Sequence, residues 1–305
     1  MTTAEFAHRG IIRSGSLISS LIMLSRPGIL TLVAMAGFSG MVMAAKGIPD
    51  CEISTCTLLC LLLSSAGSVM INSVLDYHLD RKMSRLRARV EAMNLVGRNR
   101  VVLLALSMIT VSLATAALCI NVLTSFLILV AAVLYIGPYT LWLKRSSPYG
   151  VLPGGISGAL PVLIGYAAVT GGVRSESMLL FLVVFLWQPP HFWIYALKYK
   201  NEYLRSGVPA MPAAMGESRT RLFILLFVTA LLPASVALGF FAHFSMWFQG
   251  WAVLLGLLFI ASCLLLVMKR PLYGLVFRVS IIYLFLLFLA IILDLSLLSI
   301  PSFGG

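Results

Sequence analysis

Charge is what this sequence has least of. Only 10% of its 305 residues are Asp, Glu, Lys or Arg, whereas soluble domains carry about 25%. A globule of this size could not be clothed in so little polar surface, which excludes an ordinary soluble enzyme and a disordered chain. Cysteine is sparse too: Cys51, Cys56, Cys60, Cys119 and Cys263 make no CxxC or CxxCH pattern. Covalent haem attachment, a thiol-redox motif and a secreted disulfide scaffold are thereby unsupported, and the five read as small packing residues. Acids are fewer than bases, 10 against 22, for a net charge of +12. In a soluble protein that excess would suggest nucleic acid; here it suits the loops of a membrane protein, and no nucleic-acid partner is expected.

What the sequence has in abundance is apolar residues, 60% of the chain, with a mean hydropathy of +1.02. The expected fold class is all-α, a polytopic membrane protein of about nine transmembrane helices in one bundle around a cytoplasm-facing central cavity. Apolar runs near 28–46, 54–75, 101–119, 123–143, 150–171, 178–198, 222–242, 246–268 and 279–299 are each about long enough to cross a bilayer. The chain 1–305 reads as one domain with a leader over 1–25. Arg9 and Arg13 precede an apolar run that Arg26-Pro27 interrupts, so the leader is expected to stay uncleaved and lie at the interface. Pro153, Pro161, Pro189, Pro190 and Pro233 fall inside runs, where neighbouring helices can satisfy the carbonyls they free. Gly154, Gly155, Gly158 and Gly165 read as close-approach surfaces. Ser157 nearly fits a nucleophile elbow, but Ala159 occupies the last glycine position and no strand precedes it.

With the N-terminus in the cytoplasm and the runs alternating, 20 of the 22 Lys and Arg fall on the cytoplasmic side, leaving only Lys46 and Arg174 opposite. That bias predicts an integral protein of the cell (inner, cytoplasmic) membrane with its N-terminus inside and its C-terminus outside.

Two cytoplasmic connections, 76–100 and 199–221, are long and charged enough to carry function. In the first, Asn72, Asp76 and Asp80 are spaced four and four. On a helix each step turns about 400° and rises about 6 Å, so the three share one stripe leading from the hydrocarbon edge outward. A carboxylate near the bilayer core costs on the order of 3 kcal/mol, and two on one face repel unless a cation lies between. Magnesium suits such a place, because it takes oxygen ligands, keeps waters and is often completed by substrate phosphates. The alternative is interfacial pairing with Arg81, Lys82 and Arg85, which is nearly neutral in energy. The second connection has one acid, Glu202, among Lys198, Lys200 and Arg205. These cations can hold anionic oxygens or simply anchor the chain. His78 is rotated off the aspartate stripe and reads as solvated. Asp294 is the one clear ionisable group deep in a run, and a transport route would leave more such marks. Together these features describe an inward-facing cavity with acidic walls, basic groups and a greasy interior. A magnesium-bridged diphosphate with a hydrocarbon tail would fit it. Tyr139, Trp142, Tyr166, Phe192 or Trp193 could offer a π face to a developing carbocation.

Asn72-xxx-Asp76-xxx-Asp80 followed by Arg85 and Arg89 resembles the first aspartate-rich motif of the UbiA superfamily of intramembrane prenyltransferases. Within it, several stretches resemble the protoheme IX farnesyltransferases, or haem O synthases. They are Asp80-Arg-Lys-Met83, Leu143-Lys-Arg145 running on to Tyr149-Gly150, Ser157-Gly-Ala-Leu-Pro161 with Ile164 to Gly171, Trp187-Gln-Pro-Pro-His-Phe-Trp193, and Glu202-Tyr203 leading to Gly207–Pro212. The likeness extends from about residue 25 to the last run. Leu86, where the family commonly has Thr, and Asn201, where it often has a second acid, depart from the pattern.

The resemblance implies transfer of a farnesyl group from farnesyl diphosphate to a vinyl group of haem b, giving haem O, with Mg2+ as cofactor. It implies that Asn72, Asp76, Asp80 and Glu202 hold the metal, and that Arg85, Arg89, Lys144, Arg145, Lys198 and Glu202 bind the diphosphate. His191 becomes a haem-binding candidate. The expected partners are farnesyl diphosphate, haem b, the lipid bilayer, and a downstream haem A synthase or terminal-oxidase assembly. The sequence leaves open a UbiA-type enzyme with a quinone or chlorin acceptor, a transporter, and a non-catalytic haem-binding paralogue.

Overall fold

The computed structural model describes residues 16–268 and 271–298. Among them there is no strand, and nine helices are long and apolar enough to cross a membrane. They are α1 (Pro27–Ala45), α2 (Cys51–Leu75), α3 (Arg98–Cys119), α4 (Val122–Leu134), which reaches spanning length only with the helical turns that carry it on to Ser146, α5 (Val151–Thr170), α6 (Ser175–Lys198), α7 (Glu217–Phe241), α8 (Met246–Val267) and α9 (Tyr273–Leu293). Arg9 and Arg13 of the leader, Lys269 and Arg270, and the expected end of the last run lie outside the described residues.

These bounds follow the apolar runs closely, with two instructive differences. Helix α7 begins at Glu217 and α9 at Tyr273, ahead of the runs at 222 and 279. Hydropathy stops at Arg219, Arg221 and Arg278, but a helix needs only backbone partners and continues past them. The two charged connections, expected as loops, are themselves mostly helical. The first holds Tyr77–Asp80, a 3-10 turn at Ser84–Leu86 and a helix at Arg87–Val96; the second holds Lys200–Ser206 and Met211–Ala214. The Arg87–Val96 helix buries Ala92, Met93 and Val96 against Met70, Val74 and Leu24 and turns its Arg87–Glu91 pair outward. That amphipathic pattern is why the segment is a docked helix.

Sequence neighbours among the nine helices pack against one another, α9 closes onto α1, and α1 also crosses α5. The α1–α5 crossing depends on glycine. A Cβ at Gly165 would stand 1.9 Å from the Gly37 carbonyl oxygen, and one at Gly40 would stand 2.2 Å from that of Val162. Small residues give this approach where lipid supplies no hydrophobic drive between helices. Helix ends are tied by side chains. Asn121 caps α4 by accepting from the Thr124 amide at 2.8 Å and donates to the Ala167 carbonyl of α5 at 2.9 Å. Asp294, the lone acid of the last run, accepts from the Ser245 amide at 3.0 Å, and Ser245 caps α8. Outward side chains such as Leu103 and Leu118 are apolar and exposed, as a lipid-facing surface requires.

Gly165→Ala should destabilise the fold by about 1–3 kcal/mol, since the backbones must part. Gly250→Ala, on the exposed face of α8 with nothing near its Cβ, should gain up to about 1 kcal/mol. Thermal unfolding of both variants in detergent checks the contrast.

Candidate active site

The site begins where two helices break. Between the short helix Leu17–Ser25 and α1, Arg26 takes a left-handed conformation (φ 51°) with Pro27 opening the next helix. That break sends its guanidinium inward, where Nη2 donates to Asn72 Oδ1 at 2.7 Å and Ser73 Oγ at 3.3 Å. Asn72 Nδ2 in turn donates to Asp76 Oδ2 and Thr140 Oγ1, both at 3.0 Å.

The second break follows α4, which widens into a π-helix over Tyr135–Leu143 around Pro138. Such wide turns are frequent at functional sites. Thr140 Oγ1 donates to the Tyr135 carbonyl five residues back at 2.7 Å. The altered phase brings the following Lys144 Nζ onto Asp76 Oδ2, while Arg145 Nη2 reaches Asp76 Oδ1 at 3.3 Å and the Leu75 carbonyl at 2.9 Å.

Asp76 and Asp80 are 1% and 5% exposed. Asp80 Oδ1 meets Arg89 Nη2 at 2.8 Å. Burial, reinforced by the Asp76 charge, pushes the Asp80 carboxyl above its ordinary pKa against the pull of Arg89. Burial and the nearby Arg26 draw Arg89 down to about 10, which leaves it a cation at neutral pH. The cations beside the aspartates are thus Lys144, Arg145 and Arg89, and not the Arg81, Lys82 and Arg85 of the alternative reading. His78 is exposed, edge-on to Tyr77.

Glu202 does not join the aspartates. Its Oε2 meets Arg85 Nη1 at 2.5 Å and its Oε1 accepts from Ser84 Oγ at 2.9 Å. Arg85 also donates to the Tyr195 hydroxyl at 3.1 Å and lies 5.3, 4.7 and 5.1 Å from the ring centres of Tyr195, Tyr199 and Tyr203. Burial opposes charge on Arg85, but Tyr195, Tyr203 and Glu202 outweigh it and raise its pKa. Lys198 is exposed over the Tyr199 ring at 5.2 Å and does not line the cavity. Lys200 pairs with Glu217 at 3.2 Å.

These groups surround one end of a cavity of about 600 Å³, where Arg26, Asp80, Arg85, Arg89 and Lys144 stand. The volume lies within the usual range for small-molecule sites, about 300–1,000 Å³. Its remaining wall is mostly apolar, with Leu61, Ile128, Ile164, Val184 and Phe288, and carries a few polar groups, Ser64, Ser68 and Gln188 among them. Leu61 precedes Asp76 on α2 by about 22 Å of helix. Of the aromatic candidates, Tyr139 and Phe192 line the cavity. Trp142 is 65% exposed, Trp193 is buried against Phe223 and Phe227, and Tyr166 donates to Glu176 at 2.6 Å. His191 also lines the cavity, as does Leu86.

Sequence reasoning missed Arg26, Thr140 and the tyrosines around Arg85. Two signals were available: a cation in the single break of the first apolar stretch, and Tyr195, Tyr199 and Tyr203 at the same four-and-four spacing as the acidic stripe.

Among the described residues, no group of three or more His, Cys, Asp or Glu is placed to hold a metal. The donor set still fits magnesium, which needs few protein ligands when substrate phosphates and waters complete its shell. Asp80 lines the cavity's charged end, and Asp76, which does not line it, is buried beside it under Lys144 and Arg145; both carboxylates are hard oxygen donors. Glu202, engaged by Arg85, does not belong to that set.

The model of the UbiA prenyltransferase family matches residues 31–273. The chain belongs to this family. Protoheme IX farnesyltransferases are among its relatives. That of Geotalea uraniireducens is 44% identical over 83% of this chain and 98% of its own length. That of Symbiobacterium thermophilum is 35% identical over 94% and 98%. Solved structures share the fold at low identity. One, described as digeranylgeranylglyceryl phosphate synthase in membranes, has a TM-score of 0.75 at 19% identity, covering 92% of this chain and 98% of that one. A UbiA homologue from Archaeoglobus fulgidus bound to DMAPP and Mg2+ has a TM-score of 0.65 at 16% identity, covering 88% and 99%. The protein is therefore a membrane-embedded prenyltransferase.

Arg89→Ala should strand Asp80 as a buried unpaired charge and cost about 3–5 kcal/mol. Adding Asp80→Asn should recover much of that loss, and a double-mutant cycle by thermal unfolding reads the coupling.

Proposed function

We propose that the protein transfers the farnesyl group of farnesyl diphosphate to a vinyl group of haem b, yielding haem O. The carrying observation is the cavity's polarity: Asp80 and four cations at its charged end, with the buried Asp76 behind Lys144, and a mostly apolar wall beyond. The Lys and Arg bias supports a charged end on the cytoplasmic side of the cell membrane, where a water-soluble diphosphate head would enter.

Arg85, Arg89 and Lys144 donate to the diphosphate oxygens, Arg26 orients Asn72, and Arg145 holds Asp76 in place. Asp76 and Asp80 are the residues that would hold magnesium, which offsets charge on diphosphate oxygens. The bond between C1 of the prenyl chain and oxygen breaks, and diphosphate leaves with the electron pair. Preorganised donors that meet this growing charge supply most of the rate. Tyr139 and Phe192 face the allylic cation with their π clouds, and the apolar wall keeps water away. C1 then bonds to the outer vinyl carbon, and the cation left on the inner carbon takes one water and releases a proton. The product hydroxyl requires that single water. Haem O of this kind is consumed by haem A synthases or terminal oxidases.

The test is to incubate purified protein with haem b, farnesyl diphosphate and magnesium and to follow haem O by mass. Product should appear, and chelation of divalent metal should stop it. Asp76→Asn should slow turnover by about 100-fold or more while the protein still unfolds cooperatively. Near-normal turnover in that variant would remove the metal assignment, and prenylation of a quinone in place of haem would overturn the acceptor.

A further inference from the structure

A hydrogen-bond chain beside the cavity takes no part in the diphosphate chemistry. His191 of α6 has its ring between those of Trp187 and Phe277, with centroids 4.4 and 4.5 Å away and the planes tilted by 23° and 27°. Its Nδ1 lies 2.7 Å from the Oγ of Ser280 on α9. Ser280 is fully buried, and its hydroxyl donates to the Phe277 carbonyl three residues back at 2.7 Å. The Ser280 carbonyl accepts from Trp187 Nε1, also at 2.7 Å. The serine is thereby joined to the same turn of α6 that carries the histidine.

A hydroxyl has one proton and two lone pairs. One proton cannot serve both the Phe277 carbonyl and His191 Nδ1; where it goes to Phe277, the Ser280 oxygen accepts and the hydrogen of a neutral His191 ring resides on Nδ1. Nε2 then keeps a bare lone pair. Because Nδ1 is turned to Ser280 and His191 lines the cavity, Nε2 is the ring nitrogen left for an occupant.

We propose that Ser280 is a positioning residue that holds His191 in the Nδ1–H tautomer, so that Nε2 is an axial ligand to the iron of the haem acceptor. Metal-bound histidines characteristically donate their second nitrogen to such an outer partner, and losing that partner typically weakens binding 10- to 100-fold. The proposal rests on the reading of haem b as acceptor and adds how that acceptor is gripped.

Two measurements test it. Without haem, nitrogen-15 NMR of histidine-labelled protein in lipid, with the His191 signal identified by its loss in His191→Gln, should show a protonated Nδ1 and a bare Nε2. The opposite tautomer overturns the proposal. With ferric haem, absorption and EPR spectra should show a nitrogenous axial ligand that disappears in His191→Ala. Ser280→Ala should bind haem about 10- to 100-fold more weakly with an altered ligand signature, whereas Ser280→Thr, which retains the hydroxyl, should restore both. Unchanged affinity and spectra in Ser280→Ala overturn the positioning role. If the wild type makes haem O but shows no histidine-ligand signature, iron ligation fails and the function stands. If it neither binds haem nor makes haem O, the functional reading itself has failed.

Discussion

Two carboxylates held out of water at the edge of an apolar bundle must be offset, and much of the charged end is organised around that demand. Asp76 and Asp80 each cost several kcal/mol to bury unless a cation and hydrogen bonds accompany them. Lys144 and Arg145 meet Asp76, Arg89 meets Asp80, and Arg26 steadies the Asn72 amide that completes the stripe. The irregular backbone nearby follows the same need: a left-handed residue at Arg26 and a π-helical stretch before Lys144 deliver these cations.

The arrangement also stores cations where an anionic substrate needs them. Lys144 and Arg89 line the cavity while they neutralise the aspartates. In the proposed reaction Asp76 and Asp80 would hold magnesium, which would supply positive charge to the diphosphate, and the basic groups would then be free to donate to phosphate oxygens. Arg85 is separate from this exchange, held by Glu202 and three tyrosine rings. It can meet the substrate with little reorganisation, the condition under which fixed dipoles and charges act most strongly on a developing anion.

The rest of the bundle excludes water and shapes space. Close packing at Gly40 and Gly165 joins α1 to α5, and the walls beyond the charged end are mostly aliphatic and aromatic, with a few serines and Gln188. A reactive cation born at the head of this chamber is shielded from bulk water, while the alkyl chain lies along a surface like the membrane it came from.

The sequence by itself determined the class of the protein, the nine spans, the side bias of its charges and the acidic stripe. Each of these is written in local composition or in helical period, which lipid and the backbone enforce directly. It also carried enough motif to indicate the family. Which cation meets which acid was decided only by tertiary structure. Arg26 lies 46 residues from Asn72, Lys144 lies 68 from Asp76, and Glu202 lies 117 from Arg85. Pairings over such separations depend on helix order, on a break at one residue and on the phase shift of one wide turn. Lys198 and Glu202 show the limit well. Both read as members of the diphosphate or metal site, yet one is exposed over Tyr199 and the other holds Arg85, because a charge near the mouth goes to whatever partner the fold brings within reach.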